Sequence, residues 1–261
     1  MLMSVNVLTV TDLHRRKSRY EALAKAVAAH RPEIVALVGD FLDAGEDRGG
    51  QFTDQGCAEF LASLPCQEIV FVRGNHEEDG WRQFAGAWAK TGRKLNALHG
   101  EAFAHGPLVL VGFPCLLGDE TAYLGAREPL PADPCAWLPA LLRSHGPAMR
   151  TLWLMHEPPA GTPLSETNGP MAGNREWIDA IERFSPWLAL SGHDHESPLI
   201  NKRWYYQLGR TICINLGQPD TGLLRYCLVQ AEFRRSASAL PAKLKVTAFP
   251  SKRTVSMPVG A

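Results

Sequence analysis

Ile34-Val35-Ala36-Leu37-Val38-Gly39-Asp40-Phe41-Leu42-Asp43 is the stretch that decides the fold. Its apolar half predicts a buried strand, and Asp40 and Asp43 emerge at the carboxyl end of that strand. A carboxylate is costly to bury without a partner, and a metal ion is the strongest partner available. Upstream, Val5 to Val10 predicts a first strand ending in Asp12-Leu13-His14. Between the two, Ser18 to His30 sets Tyr20, Leu23, Ala24 and Val27 on one face at helical spacing, and Pro32 stops the helix. Strand, helix, strand is a βαβ unit. It implies parallel strands in a layered α/β fold, with chemistry at the strands' carboxyl ends.

Downstream the alternation continues. Thr53 to Leu64 is a predicted helix, and Glu68 to Val72 a strand ending in Arg73-Gly74-Asn75-His76-Glu77. Trp81 to Lys90 follows as a helix and Pro107 to Phe113 as a strand. Cys135 to Arg143 reads as a helix and Thr151 to Met155 as the strand presenting His156. Glu176 to Phe184 is a helix, and Trp187 to Ser191 the strand before Gly192-His193-Asp194-His195. The pattern then changes. Trp204 to Leu208, Thr211 to Leu216 and Leu223 to Phe233 predict an antiparallel ribbon, its first two strands joined by a tight Gly209-Arg210 turn. Residues 44 to 51, Pro114 to Pro134 and Pro158 to Asn174 carry no period. The last two leave strand ends beside the proposed site, where substrate selection usually resides.

Hydrophobic content of 45% and charged content of 21% are those of a globular protein with a sizeable core. The strand-end clusters run from position 12 to position 195 and must meet, which argues for one domain over residues 1–233. Residues 234–261 read as a basic tail, with room for one last strand before a flexible end. That segment holds Arg234, Arg235, Lys243, Lys245, Lys252 and Arg253 and no acid. Over the whole chain the charges balance, 27 basic against 27 acidic, so no overall field draws in nucleic acid or an acidic membrane. The six cysteines include no Cys-x-x-Cys pair and read as reduced core thiols. Met1 to Val10 carries no basic leader and runs straight into Asp12, so it reads as a strand and not a signal peptide. No apolar run reaches the roughly 18 residues that span a membrane. A cytoplasmic location is expected, and oligomeric state stays open.

Four strand ends thus carry His14, His76, His156 and the pair His193 and His195, and a fifth carries Asp40, whereas His30, His99, His105 and His145 have no such setting. Asp-x-His and His-x-His let alternate residues turn towards one ion as a strand ends. Carboxylate, imidazole and amide oxygen together suit manganese, iron or zinc.

In order along the chain, these motifs resemble the signature of the calcineurin-like metallophosphoesterases. They are Asp12-x-His14, Gly39-Asp40-x-x-Asp43, Gly74-Asn75-His76-Glu77, the lone His156 and Gly192-His193-x-His195. The late turn Ile214-Asn215-Leu216-Gly217 departs from the family's Asn-Pro-Gly at Leu216. The resemblance implies a four-layer αββα sandwich, two mixed sheets flanked by helices. It implies one divalent ion on Asp12, His14, Asp40 and His195 and a second on Asp40, Asn75, His156 and His193. It also implies a bridging hydroxide that attacks phosphorus in line. His76 would be the general acid for the leaving group, oriented by Asp43.

The implied substrate is a small phosphoester, with diesters favoured. Protein phosphatases of the family follow Gly-Asp-x-x-Asp with a phosphate-gripping arginine, and here Ala44 stands in that place. A monoesterase, a nuclease and a non-catalytic scaffold are the alternatives. The scaffold reading predicts missing ligands, and none is missing.

Overall fold

The structure, a computed structural model, describes residues 2–43, 51–77, 80–113, 115, 133–146, 150–165, 173–219, 221–234 and 241–258. Its first half alternates strand and helix: β1 (Leu2–Val10), α1 (Lys17–His30), β2 (Ile34–Val38), α2 (Asp54–Ala62), β3 (Glu68–Val72), α3 (Trp81–Lys90) and the short β4 (Asn96–Ala97). Then come β5 (Glu101–His105), β6 (Leu108–Gly112), α4 (Leu138–His145), β7 (Thr151–Leu154), α5 (Arg175–Phe184), β8 (Leu188–Ser191) and a single turn, α6 (Ser197–Ile200). The chain ends in β9 (Tyr205–Leu208), β10 (Thr211–Asn215), β11 (Tyr226–Arg234), β12 (Pro241–Phe249) and β13 (Arg253–Pro258).

Two mixed sheets result, ordered β13-β12-β11-β1-β2-β3-β4 and β5-β6-β7-β8-β10-β9. Side chains alternate across a strand, so β2 divides its five buried residues between two cores. Ile34, Ala36 and Val38 point between the sheets, where they join Leu110, Leu152, Leu154, Leu190 and Ile214 of the second sheet. Val35 and Leu37 point the other way, onto Tyr20, Leu23 and Val27 of α1 and Leu61, Phe84 and Trp88 of α2 and α3. On the far side, Val111, Trp153 and Cys213 of the second sheet meet Leu138 and Leu142 of α4 and Trp177 and Ile181 of α5. Three cores between four layers make the αββα sandwich.

Helix ends follow local chemistry. Thr53 caps α2 by accepting from the Gly56 N–H, and Asn174 caps α5 by accepting from Glu176. Each such cap contributes about 1 kcal/mol.

Two expectations are corrected. The late strands do not form one ribbon: β9 and β10 pair across Gly209-Arg210 as a hairpin in the second sheet, with Gly209 at φ 58°, while β11 crosses to the first sheet and runs antiparallel to β1. Nor is the basic end a tail with at most one strand. β12 and β13 extend the first sheet beyond β11, with Leu244, Val246 and Ala248 buried between the sheets and Lys243 exposed. Of the six cysteines, none is in a disulfide, and Cys57, Cys213 and Cys227 are buried as expected while Cys66, Cys115 and Cys135 are partly exposed. No helix among the described residues is long and apolar enough to cross a membrane.

Candidate metal centre

Strand register brings the motifs together. Val10 pairs with Leu37, and Val38 with Val72, so β1, β2 and β3 end level and release Asp12, Asp40 and Gly74-Asn75 at one edge. In the second sheet Leu154 pairs with Leu190 and Ser191 with Asn215, which sets His156 beside Gly192-His193. Within the second sheet Gly192 N–H donates to His156 O at 2.8 Å, and the crossing to the first sheet is also hydrogen-bonded, His193 N–H donating to Asp12 Oδ1 at 3.2 Å.

All seven residues read as ligands converge. Asp12, His14 and His195 form one group of donor atoms, and Asp40, His156 and His193 another. His195 Nε2 lies 3.3 Å from Asp12 Oδ1 and 3.5 Å from His14 Nε2. His156 Nε2 lies 3.2 Å from Asp40 Oδ2, and Asn75 Oδ1 sits 3.2 Å from His156 Nε2 and 3.1 Å from His193 Nδ1. A third group, His14, Asp40 and His76, joins the two. His76 faces Asp43, with Nδ1 3.2 Å from Oδ1, and its Nε2 is 3.9 Å from Asp40 Oδ2. Its side chain is 35% exposed and that of Asp43 15%, so this pair lies at the rim of the cluster.

The backbone is bent to achieve this. Asp12, His14, Asp40 and His193 all have positive φ, between 48° and 63°. Non-glycine residues rarely adopt that region, and such strain gathers where side chains must be aimed.

Three supporting residues carried no role in the sequence. Glu77 is fully buried; it accepts from the Asp40 and Leu42 N–H groups at 2.9 and 2.8 Å and from Gly74, and so ties the β2 and β3 loops together. Asn215 Nδ2 donates to Gly192 O and Asp194 O at 3.1 and 2.9 Å, clamping the loop of His193 and His195. Arg19, from α1, donates to the carbonyls of Asp12 and Pro219. Glu77 and Asn215 lie inside quoted motifs, and that adjacency was their one signal in the sequence; Arg19 had none beyond an ordinary helical position. Of the two loops expected to select substrate, residues 116–132 and 166–172 lie outside the described residues, as does Ala44.

A sequence model of the calcineurin-like phosphoesterases matches residues 5–197. The chain belongs to that family. Among curated proteins none matches the sequence. Solved structures share the fold at low identity. A dimetal phosphatase from Danio rerio superposes with a TM-score of 0.62 at 12% identity, over 98% of this chain and 99% of that one. A protein of Thermus thermophilus does so at 0.60 and 14%, over 98% and 99%. A purple acid phosphatase from yellow lupin reaches 0.57 and 14%, over 98% of this chain but 54% of its own.

Membership in the calcineurin-like phosphoesterases makes the chain a metal-dependent phosphoester hydrolase, and its residues fit divalent ions. Asp12 Oδ2 is buried with no hydrogen-bond partner among the described residues, an arrangement that is costly unless a cation is drawn in. The donors are carboxylate, imidazole and amide, the set for zinc, manganese or iron, and no cysteine enters any of the three groups. Electrostatics agree. Burial opposes ionisation of Asp40, yet the charge and hydrogen bond of His156 hold its carboxyl well below the usual range. Asp12 is likewise held down against burial, by His195. In return, and again against burial, Asp40 raises His156 to about 10 and Asp12 raises His195. Burial takes His14 down to about 4 despite both carboxylates, leaving a neutral imidazole ready to coordinate. Burial, reinforced by the Asp40 charge, pushes Glu77 up to about 8 even though it accepts from backbone N–H groups. The protonated imidazoles stand where cationic charge is wanted.

Proposed function

We propose that this chain hydrolyses small phosphodiesters, with one divalent ion on Asp12, His14, Asp40 and His195 and another on Asp40, Asn75, His156 and His193. The observation that carries the reading is the pair of donor groups, Asp12-His14-His195 and Asp40-His156-His193, bridged through His14 and Asp40. When bound, two divalent ions neutralise charge on the phosphate oxygens and activate water as a nucleophile.

The chain's own residues do the rest. Asp43 Oδ1 accepts from His76 Nδ1–H, which fixes the ring and leaves Nε2 to carry a proton to the leaving alkoxide. The 35% exposure of His76 leaves that nitrogen within reach of an incoming ester. The preference for diesters rests on charge. A monoester brings nearly two negative charges and a diester one, and the arginines nearest these motifs are already engaged. Arg15 pairs with Asp54 at 3.4 Å, Arg19 is buried on backbone carbonyls, and Arg73 lies against the Trp81 ring 5.2 Å away.

Hydrolysis of bis-p-nitrophenyl phosphate and of p-nitrophenyl phosphate with manganese, in the parent and in Asp40→Asn, tests this. The diester is expected to give the higher kcat/KM, with at least a hundredfold loss in Asp40→Asn. Faster monoester turnover would make the protein a phosphomonoesterase instead.

A further inference from the structure

A cavity of about 350 Å³ lies away from the metal centre, between α6, the end of β10, the start of β11 and the β12–β13 hairpin. Its apolar wall is Trp204, Leu216 and Phe249, and its charged wall is Lys202, Arg225 and Arg253. The size falls within the range of small-molecule sites, roughly 300–1,000 Å³, and the mixture of apolar floor and a few charged groups is what such sites use.

The charge is one-sided. Among the described residues no carboxylate lines the cavity and none of the three cations has an acidic partner. Their contacts are to backbone: Arg225 Nη1 donates to Leu216 O at 3.0 Å, and Arg253 Nη1 to Lys202 O at 3.3 Å. These bonds anchor the guanidiniums and leave other N–H groups of each to donate. Trp204 adds a buried indole Nε1–H that has no hydrogen-bond partner among the described residues. Burial also lowers the Arg225 pKa, as for a cation partly withdrawn from water with no anion to offset the cost. Three cations and an unpaired donor around an aromatic floor are complementary to an organic anion.

We propose that this cavity is a second ligand site, taking a small anion with an apolar, planar body: an aromatic or heteroaromatic phosphate, sulfonate or carboxylate. The anion pairs with Lys202, Arg225 and Arg253, and the ring lies against Trp204 and Phe249. None of the residues read as metal ligands lines the cavity. The site is nonetheless joined to the metal centre, because its wall includes Pro198 and Leu199, just after His195, and Gly217 packs so closely that a Cβ there would lie 2.6 Å from His195 O.

The test is calorimetric titration of the metal-loaded protein with naphthalene-1-sulfonate, which is not a phosphoester and cannot be turned over. Inorganic sulfate and 1-naphthalenemethanol serve as the half-probes. Lys202→Gln/Arg253→Gln is the variant, because both side chains are exposed and neither belongs to the metal centre. Expected is one sulfonate per chain, bound at least tenfold more tightly than either half-probe. In the variant the affinity should fall at least tenfold while hydrolysis of bis-p-nitrophenyl phosphate stays unchanged. Equal sulfonate affinity in parent and variant, no saturable binding, or sulfate binding as tightly as the sulfonate would each overturn the proposal. Because the readout is binding, failure of the diester reading leaves it standing, and the reverse holds as well.

Discussion

His76 occupies two settings at once: its Nδ1 faces Asp43, and its ring lies in the same donor group as His14 and Asp40. A proton donor and a ligand are both compatible with that position, and they separate on substitution. As the general acid, His76→Ala keeps the metal content of the parent by elemental analysis. It loses roughly 10²–10⁴-fold in kcat on an alkyl diester and much less on a p-nitrophenyl diester, whose leaving group needs no proton. Loss of metal in that variant would make His76 a ligand. The metal-competent side chains stood out in the sequence because aspartate and histidine at strand ends are chemically conspicuous. Glu77 did not, since its task is to accept three backbone N–H groups, and a glutamate capping a loop reads like any other glutamate until the fold shows it buried.

The elements that aim these side chains tolerate little bulk. Gly74, two residues past the end of β3, lies between Asp40 of the first sheet and His156 of the second. A Cβ placed on it would sit 2.2 Å from Asp40 Oδ1 and 2.7 Å from His156 Nε2. Its φ is not positive, so alanine suits the local torsions, but the same Cβ would also lie 2.8 Å from the Asp40 backbone N. Gly74→Ala should therefore displace the loop of Asp40, lowering the thermal midpoint in the presence of chelator and losing metal affinity and at least tenfold in kcat/KM. Gly86→Ala, on the exposed side of α3 with no atom within 4 Å, is the control and should keep full activity. The central strands were legible because burial on both faces demands an unbroken apolar run. The edges were not. β5 carries Glu101 and His105, and β12 alternates Lys243, Lys245 and Thr247 with Leu244, Val246 and Ala248, a pattern that charge counting takes for a tail.

For the molecule as a whole, the metal centre and the fold are linked through protons. His156, raised to about 10, binds its proton more tightly folded than unfolded. Its contribution to stability is therefore complete below about pH 6.5, its unfolded value, and is lost as pH rises towards 10. Glu77, raised to about 8, acts in the same direction above its unfolded value. The chelated protein should thus melt at progressively lower temperature from pH 7 to pH 9.5. Metal ions need the neutral imidazoles, so manganese affinity should rise over the same interval with release of protons. Calorimetry in buffers of different ionisation enthalpy, alongside melting curves with and without chelator, reads both slopes. A chelated protein whose melting temperature does not fall would remove the electrostatic account of Asp40 and His156. The sequence by itself determined the αβ alternation, the five strand ends and the identity of the chemistry they bear, because apolar runs and clustered Asp, Asn and His are properties of short segments. Only the tertiary structure decided that β11 leaves the hairpin to pair with β1, that β12 and β13 widen that sheet, and that a cationic cavity forms behind the His195 loop. Each depends on contacts between residues far apart in the chain, whose pairing free energy no local window contains.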